Sequence, residues 1–309
     1  VGGLPYNVGA AGVFVDDGPR QAERLLDALE TLPDDEIARL TAIARGEAVR
    51  RHDINAHVRA HSDTFASALP CSVSILAAVH NNPPRYIKEF WESCKAQTLR
   101  EWELVLVDDG APREDVQALI AEIEKDPRVR VVRMATNSGL PAALNTGAWY
   151  CRAPLIARMD DDDVMMPDRL EKQVAWMRKH PGVDFLGGQL QVMDGEGNLG
   201  RITCMNEYVT PQDAQDSNWL MNHPTVVMRK QALFDLGGYD TRCRVSQDLD
   251  LWLRAIASGK VLCNLPDILI HHRKHEGQQT GRGDMVETVR LIRERNGYHN
   301  HIAQDYHEK

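Results

Sequence analysis

An α/β fold, with a mixed, mainly parallel sheet flanked by helices, is what this 309-residue sequence predicts. Three observations predict it. From Cys71 onward, short apolar runs of strand length alternate with stripes at helical spacing. The runs are continuous, as in strands buried on both faces of a sheet. Two acidic clusters close two of these runs, at the carboxyl ends of strands, where open α/β sheets bind ligands.

Residues 1–70 stand apart. After the Gly-rich start Val1 to Gly9, Leu25, Leu26 and Leu29, then Ile37, Leu40 and Ile43, recur at helical spacing. A more polar stretch runs from Arg50 to Ala68, so the region reads as a mainly helical N-terminal extension. Pro70 punctuates the chain, and a second domain runs over 71–281.

In that domain, 73–77 is the first strand and Ile87, Phe90, Trp91 and Cys94 stripe the first helix. The second strand, 103–107, runs into Asp108-Asp109-Gly110, and Val116, Leu119, Ile120 and Ile123 stripe the next helix. Residues 129–132 are a third strand, and Leu140, Ala143 and Leu144 open another helix. The fourth strand, 155–159, leads into Asp160-Asp161-Asp162-Asp163. Pro167 suits a helix start, with Leu170, Val174 and Met177 as its apolar face. Strands follow from Val183 to Met193, then helices at 229–236 and from Asp248 to Ser258. Two late short strands, 261–263 and 268–270, precede a C-terminal helical tail over 282–309.

Composition narrows the function classes. No apolar run approaches the roughly 18 residues of a membrane span, and no apolar leader follows a basic start, so a cytoplasmic protein is expected. Net charge is −9, from 45 acidic against 36 basic residues, which disfavours nucleic acid as a partner. Six scattered cysteines form no C-x-x-C pair and read as buried thiols. The chain starts at Val1, and the expectation is a longer natural protein.

The four consecutive aspartates are the sharpest chemical signal. Adjacent carboxylates repel unless solvated, protonated or metal-bound. In extended backbone Asp160 and Asp162 would share a face, and hard divalent cations such as Mg2+ take such oxygens. The blander reading is a solvated acidic loop. Asp108-Asp109-Gly110 reads as a turn, and Asp248 as a helix N-cap or a general base. Asp250 would point elsewhere on the helix. His271-His272-Arg273-Lys274-His275 reads as a basic surface segment, or as a source of metal or phosphate contacts. Phosphate-loop, dinucleotide and serine-hydrolase signatures are missing.

Taken in order, these pieces resemble the family 2 glycosyltransferases from about 71 to 280. The opening strand through Asn81, Gln97-Thr98, and the strand ending in Asp108-Asp109-Gly110-Ala111 carry the first part. Asn137-Ser138-Gly139-Leu140 with Ala143-Leu144-Asn145, and Ile156 to Asp163 with Pro167, Arg169, Leu170, Glu171 and Gln173, carry the next. His223-Pro224-Thr225, Gly237-Gly238-Tyr239 and Asp248 to Arg254 complete it. His80, Ala111 and Gln247 depart from the residues usual there.

The resemblance implies a GT-A fold, inversion at the transferred sugar, and a nucleotide-sugar donor, with a UDP-sugar the default. It also implies Mn2+ or Mg2+ and a glycan or lipid-linked acceptor at the inner face of a membrane. Residue by residue, it places Ala78, Asn81, Asp109, Arg158, Asp160 and Asp161 at the nucleotide and donor. It gives Asp162 and His275 to the metal and makes Asp248 the general base. Two alternatives stand beside this reading: a degenerate GT-A module acting in assembly, and a sugar-nucleotide pyrophosphorylase. Residues 1–70 weakly resemble the tail of a GT-B glycosyltransferase, which would make them the remnant of a preceding module.

Overall fold

The computed structural model describes residues 6–8, 13–15, 71–275 and 285–298. The chain forms two compact units, Val1–Ala68 and Leu69–Lys309. In the first, β1 (Tyr6–Val8) pairs antiparallel with β2 (Val13–Val15). The helices expected at 25–68, and the tail beyond residue 298, lie outside the described residues.

In the second unit, strands and helices alternate from the start: β3 (Val73–Val79), α1 (Pro84–Lys95), β4 (Trp102–Asp108), α2 (Glu114–Ile123), β5 (Val129–Arg133), α3 (Leu140–Tyr150) and β6 (Leu155–Arg158). Next come β7 (Val164–Met165), α4 (Arg169–Lys179), β8 (Phe185–Met193), β9 (Leu199–Ile202), β10 (Tyr208–Val209) and α5 (Pro211–Asp216). A 3-10 turn (His223–Thr225), β11 (Val227–Arg229), α6 (Lys230–Asp235), α7 (Gln247–Ala257), β12 (Leu262–Arg273) and α8 (Met285–Arg295) follow.

The sheet order is β10-β12-β8-β11-β6-β3-β4-β5, with β7 on β12 and β9 on β8. Strands β3, β4, β5 and β6 are parallel. Strand β11 runs antiparallel between β6 and β8, and β12 is parallel to β8, so these six long strands share one direction. Their carboxyl ends meet along one edge, which is where both acidic clusters fall.

Both faces of the sheet are covered, as the continuous apolar runs require. Val73, Ile75, Ala77 and Val79 of β3 pack on one side with Phe90 of α1 and Ile120 of α2. Leu76, Val105 and Val107 pack on the other with Leu144 of α3 and Trp252 of α7. Helix α3 lies close enough that Gly147 is required. A Cβ there would fall 2.4 Å from Leu76 Cδ1 and 2.6 Å from Val107 Cγ2.

Four differences from the sequence reading have physical causes. The two late strands are one, because β12 passes exposed Pro266 through register shifts between Leu265 and Ile268. Proline lacks the N–H that a regular ladder would use, and an irregular stretch accommodates it. Strands β7, β10 and β11 are too short to carry a period. Helix α5 is announced by its cap instead: Asp213 N–H donates to Thr210 Oγ1, and Thr210 N–H donates to Asp213 Oδ2. Finally, Cys94, Cys151, Cys243 and Cys263 are buried, but Cys204 is exposed, just after the fully exposed β9. Among the described residues no helix is long and apolar enough to cross a membrane.

Candidate active site

The carboxyl-end edge gathers four segments: the loop after β3, the turn after β4, the acidic turn after β6, and the end of β12. Strand β4 is buried along its whole length, so Asp108 and Asp109 arrive at the edge at a fixed height. Asp108 accepts from Ala111 N–H (2.8 Å) and from Gln117 Nε2 (2.8 Å), which ties the turn to α2. Asp109 accepts from the backbone N–H of Ser138 (2.8 Å) and Gly139 (3.0 Å). Gly110 closes the turn at φ +66, and a Cβ on it would meet Asn137 N at 2.7 Å. The turn reading therefore holds, and Asp109 additionally fixes the loop before α3. Each of its oxygens retains a second lone pair for a ligand donor. Ala78 is half-buried on β3 and Asn81 is exposed beyond it, at the same edge.

The aspartate run is not extended. It turns at 161–162, with Asp163 N–H directed at Asp160 O (3.5 Å). That corrects the expected pairing of Asp160 with Asp162, because a turn brings together residues three apart. Oxygens of Asp160 and Asp163 lie within 4.8 Å of each other and of a His272 nitrogen. Each of the four carboxylates has its own partner. Asp160 takes the buried guanidinium of Arg158 in two contacts. Asn82 Nδ2 donates to Asp161 Oδ1 at 2.7 Å. His275 Nε2 lies 3.0 Å from Asp162 Oδ2. His272 Nδ1 is 3.1 Å from both oxygens of Asp163, which also accepts from Arg273 N–H at 2.8 Å. The segment 271–275 is thus the end of a central strand, and its Arg273 is buried, which corrects the surface reading.

Charge compensation is uneven. Burial opposes protonation of His272, but Asp163 beside it prevails and raises the imidazole to about 9. Asp163 and Asp160 thereby face an imidazolium and a guanidinium. Asp161 instead meets the Asn82 amide. Burial, then the charge of Asp162, pushes Asp161 well above the usual carboxylate range, and its buried Oδ2 has no hydrogen-bond partner among the described residues. Burial, then Asp163 and Asp160, lifts Asp162 to about 6. The three groups here that lie within 4.8 Å of one another are Asp160, Asp163 and His272. Asp162, pushed up by burial and the neighbouring carboxylates, and His275 beside it offer a carboxylate and an imidazole to a divalent cation. A second acidic group, Asp240, Cys243 and Asp250, does not suit one, because Arg295 already contacts all three.

Across the edge, Asp248 lies in the first turn of α7, and Ser246, at φ 55, is the N-cap. The expected cap is displaced by two residues, which leaves the Asp248 carboxylate without a side-chain partner among the described residues. Burial pushes its carboxyl up; amide hydrogen bonds and Arg158 pull it back. Asp250 is instead fully buried and structural, holding Arg254 (2.8 Å) and Arg295. His223 and Tyr239 share a 2.8 Å hydrogen bond beside Arg158, and burial keeps His223 neutral. Asn82 and His272 hold two of the aspartates, while Tyr86, Glu89 and Arg273 lie behind the turn. Sequence reasoning gave Asn82, Tyr86 and Glu89 no role and offered His272 and Arg273 only as part of a segment read as a source of metal or phosphate contacts, because each acts through a partner more than 75 residues away.

Residues 74–237 match the model of glycosyl transferase family 2. The chain belongs to that family. As a glycosyltransferase it has close curated relatives. It is 35% identical over 205 residues to an uncharacterized glycosyltransferase of Haemophilus influenzae, covering 64% of this chain and 74% of that one. It is 34% identical over 203 residues to the amylovoran biosynthesis glycosyltransferase AmsE of Erwinia amylovora, covering 65% and 75%. Among solved structures, S. aureus TarS 1-349 in complex with UDP-GlcNAc aligns with TM-score 0.59 at 22% identity. The alignment covers 72% of this glycosyltransferase and 65% of the TarS chain, just under two thirds of it. That likeness bears on fold, and the GT-A expectation agrees with it.

Proposed function

We propose that this glycosyltransferase moves a sugar from a UDP-sugar to a hydroxyl of a glycan or lipid-linked acceptor, with inversion and with Asp248 as general base. One observation carries the reading. The half-buried Asp248 carboxylate, without a side-chain partner among the described residues, feels the charges of both Arg158 and Asp160, and these two pair with each other at the acidic turn. The UDP-GlcNAc bound by TarS supports a UDP-sugar, and the role named for AmsE supports a glycan product.

In this reading Asp109, with Ala78 and Asn81 beside it, lines the nucleotide pocket. Arg158 orients Asp160, and Asp160 and Asp161 face ribose and sugar. Asp162 and His275 would hold Mn2+ or Mg2+, which when bound offsets charge on the leaving diphosphate. Asp248 takes the acceptor proton as its oxygen attacks the anomeric carbon opposite the diphosphate. The acceptor would be met at the inner face of a membrane, and residues 1–70 would be the remnant of a preceding GT-B module.

Calorimetric titration of UDP, GDP and dTDP, with and without Mn2+, tests the reading in the wild-type chain and in Asp162→Asn. We expect metal-dependent binding of UDP that Asp162→Asn weakens about 10-fold or more. UDP affinity indifferent to both metal and substitution would refute it.

A further inference from the structure

Behind the acidic turn lies a second set of contacts that the reaction does not use directly. Arg273 is 1% exposed, yet its guanidinium reaches three segments distant in sequence. Its Nε donates to Asp162 O at 2.9 Å. Its Nη1 is 3.4 Å from Asp194 O and 3.5 Å from Gly195 O, in the turn after β8. Its Nη2 pairs with Glu89 of α1. The guanidinium carbon stands 4.3 Å from the ring centroid of buried Tyr86, on the same helix. The Tyr86 ring in turn packs against His275, with centroids 5.1 Å apart. Arg85 Nη2 closes the set by donating to Tyr86 Oη (2.8 Å) and Gly195 O (3.1 Å).

We propose that Tyr86, Glu89 and Arg273 form a brace that positions Asp162 and His275 for a divalent cation, without touching cation or donor. The inference rests on the reading that this turn takes such a cation. A buried guanidinium is costly unless its donors are used, and here they fix the backbone of one proposed ligand. The Tyr86 ring fixes the imidazole of the other from behind. Supporting partners of this kind set ligand orientation and tune affinity. Only the planar fork of arginine spans carbonyls and carboxylate at once, so lysine cannot replace it.

Mn2+ uptake by the whole chain, followed by electron paramagnetic resonance of the free ion, tests the brace. Circular dichroism confirms folding of each variant. Arg273→Lys and Tyr86→Leu should weaken Mn2+ binding about 10-fold or more, while UDP binding without metal stays unchanged. Tyr86→Phe keeps the ring and should stay within about twofold of wild type. Glu89→Gln, at the half-exposed and solvent-screened end, should lose about threefold and reads the same brace if Arg273→Lys fails to fold. Wild-type Mn2+ affinity in the folded Tyr86→Leu and Glu89→Gln variants would overturn the proposal. An equal loss of metal-free UDP binding would overturn it too, by pointing to general loosening of the site. A wild-type chain that takes up no Mn2+ is a different failure. It removes the cation reading itself, and the brace with it, before any variant is made.

Discussion

Asp248 and Asp250 stand two residues apart on α7, and replacing each by Asn should separate chemistry from architecture. Asp250 is fully buried and accepts from Arg254 Nε (2.8 Å), Arg295 and Asn296 Nδ2 (3.3 Å). Arg254 also donates to Leu236 O (2.7 Å) and Gly238 O (2.9 Å), so one carboxylate ties α8 and the loop after α6 onto α7. Breaking a fully buried ion pair costs about 3–5 kcal/mol. The arginine side chains here are 24% and 38% exposed, and water screens them once the partner is gone. The range for hydrogen bonds to charged groups, about 1.5–3 kcal/mol, is therefore the better guide. In a domain of this size 1 kcal/mol moves Tm by roughly 2–4 °C, so Asp250→Asn should lower it by about 3–12 °C. Asp248→Asn removes no side-chain partner among the described residues and should leave Tm within about 2 °C. Its kcat should fall by about 100- to 10,000-fold, the range for loss of a general base, with UDP affinity kept. Thermal unfolding by circular dichroism and transfer measured by UDP release read the two effects. The reasoning is refuted if Asp248→Asn turns over within tenfold of wild type. It is equally refuted if folded Asp250→Asn is as inert as Asp248→Asn.

Two further outcomes follow from the same packing. Gly147→Ala gains about 1 kcal/mol of helix propensity but overpacks against Leu76 and Val107 for about 1–3 kcal/mol. The contacts of 2.4 and 2.6 Å decide the sign, and chemical denaturation should give a lower midpoint; a higher midpoint would contradict the close approach of α3. His272, raised to about 9 by Asp163 against the opposing effect of burial, should contribute stability fully below its free value of 6.5. That contribution is lost as pH rises through about 9. In EDTA, Tm should therefore fall between pH 7 and pH 9.5 in wild type, more than in His272→Gln; parallel curves would remove the ion pair.

What the sequence made legible divides by distance along the chain. Strands β3, β4 and β6 with their helices were readable because each buries a largely apolar run beside its covering stripe, and half-buried β5 because its alternating valines stand at strand length just after the α2 stripe. The acidic clusters were readable because a strand's end fixes where its next residues emerge. Strand β12 was read as two pieces, and its end as surface, because local pattern cannot register that His272, Arg273 and His275 meet aspartates more than 100 residues earlier. The geometry of the aspartate run was missed for the opposite reason. Alternation was assumed where the 160–163 turn imposes a spacing of three.

Arg158 is where these two kinds of information join. Strand β6 ends with it, one residue before the strand end the sequence suggests, and the fold pairs it with Asp160 of the acidic turn. Its guanidinium pairs with Asp160, while its buried Nε has no partner among the described residues. Burial pushes the Asp248 carboxyl up, and the Arg158 charge is among the influences that pull it down, whereas Asp160 pushes it up. Arg158→Gln removes the first influence and leaves Asp160 uncompensated, so both changes act in the same direction. A general base works deprotonated, so a higher carboxyl pKa carries the acid limb of the kcat–pH profile to higher pH. In Arg158→Gln, with folding verified and UDP-sugar saturating, that limb should lie above wild type, and raising the pH should recover part of the lost rate. A limb that stays in place, or moves to lower pH, would mean that Arg158 does not face Asp248. The charge balance that links donor turn and base would then fall with it.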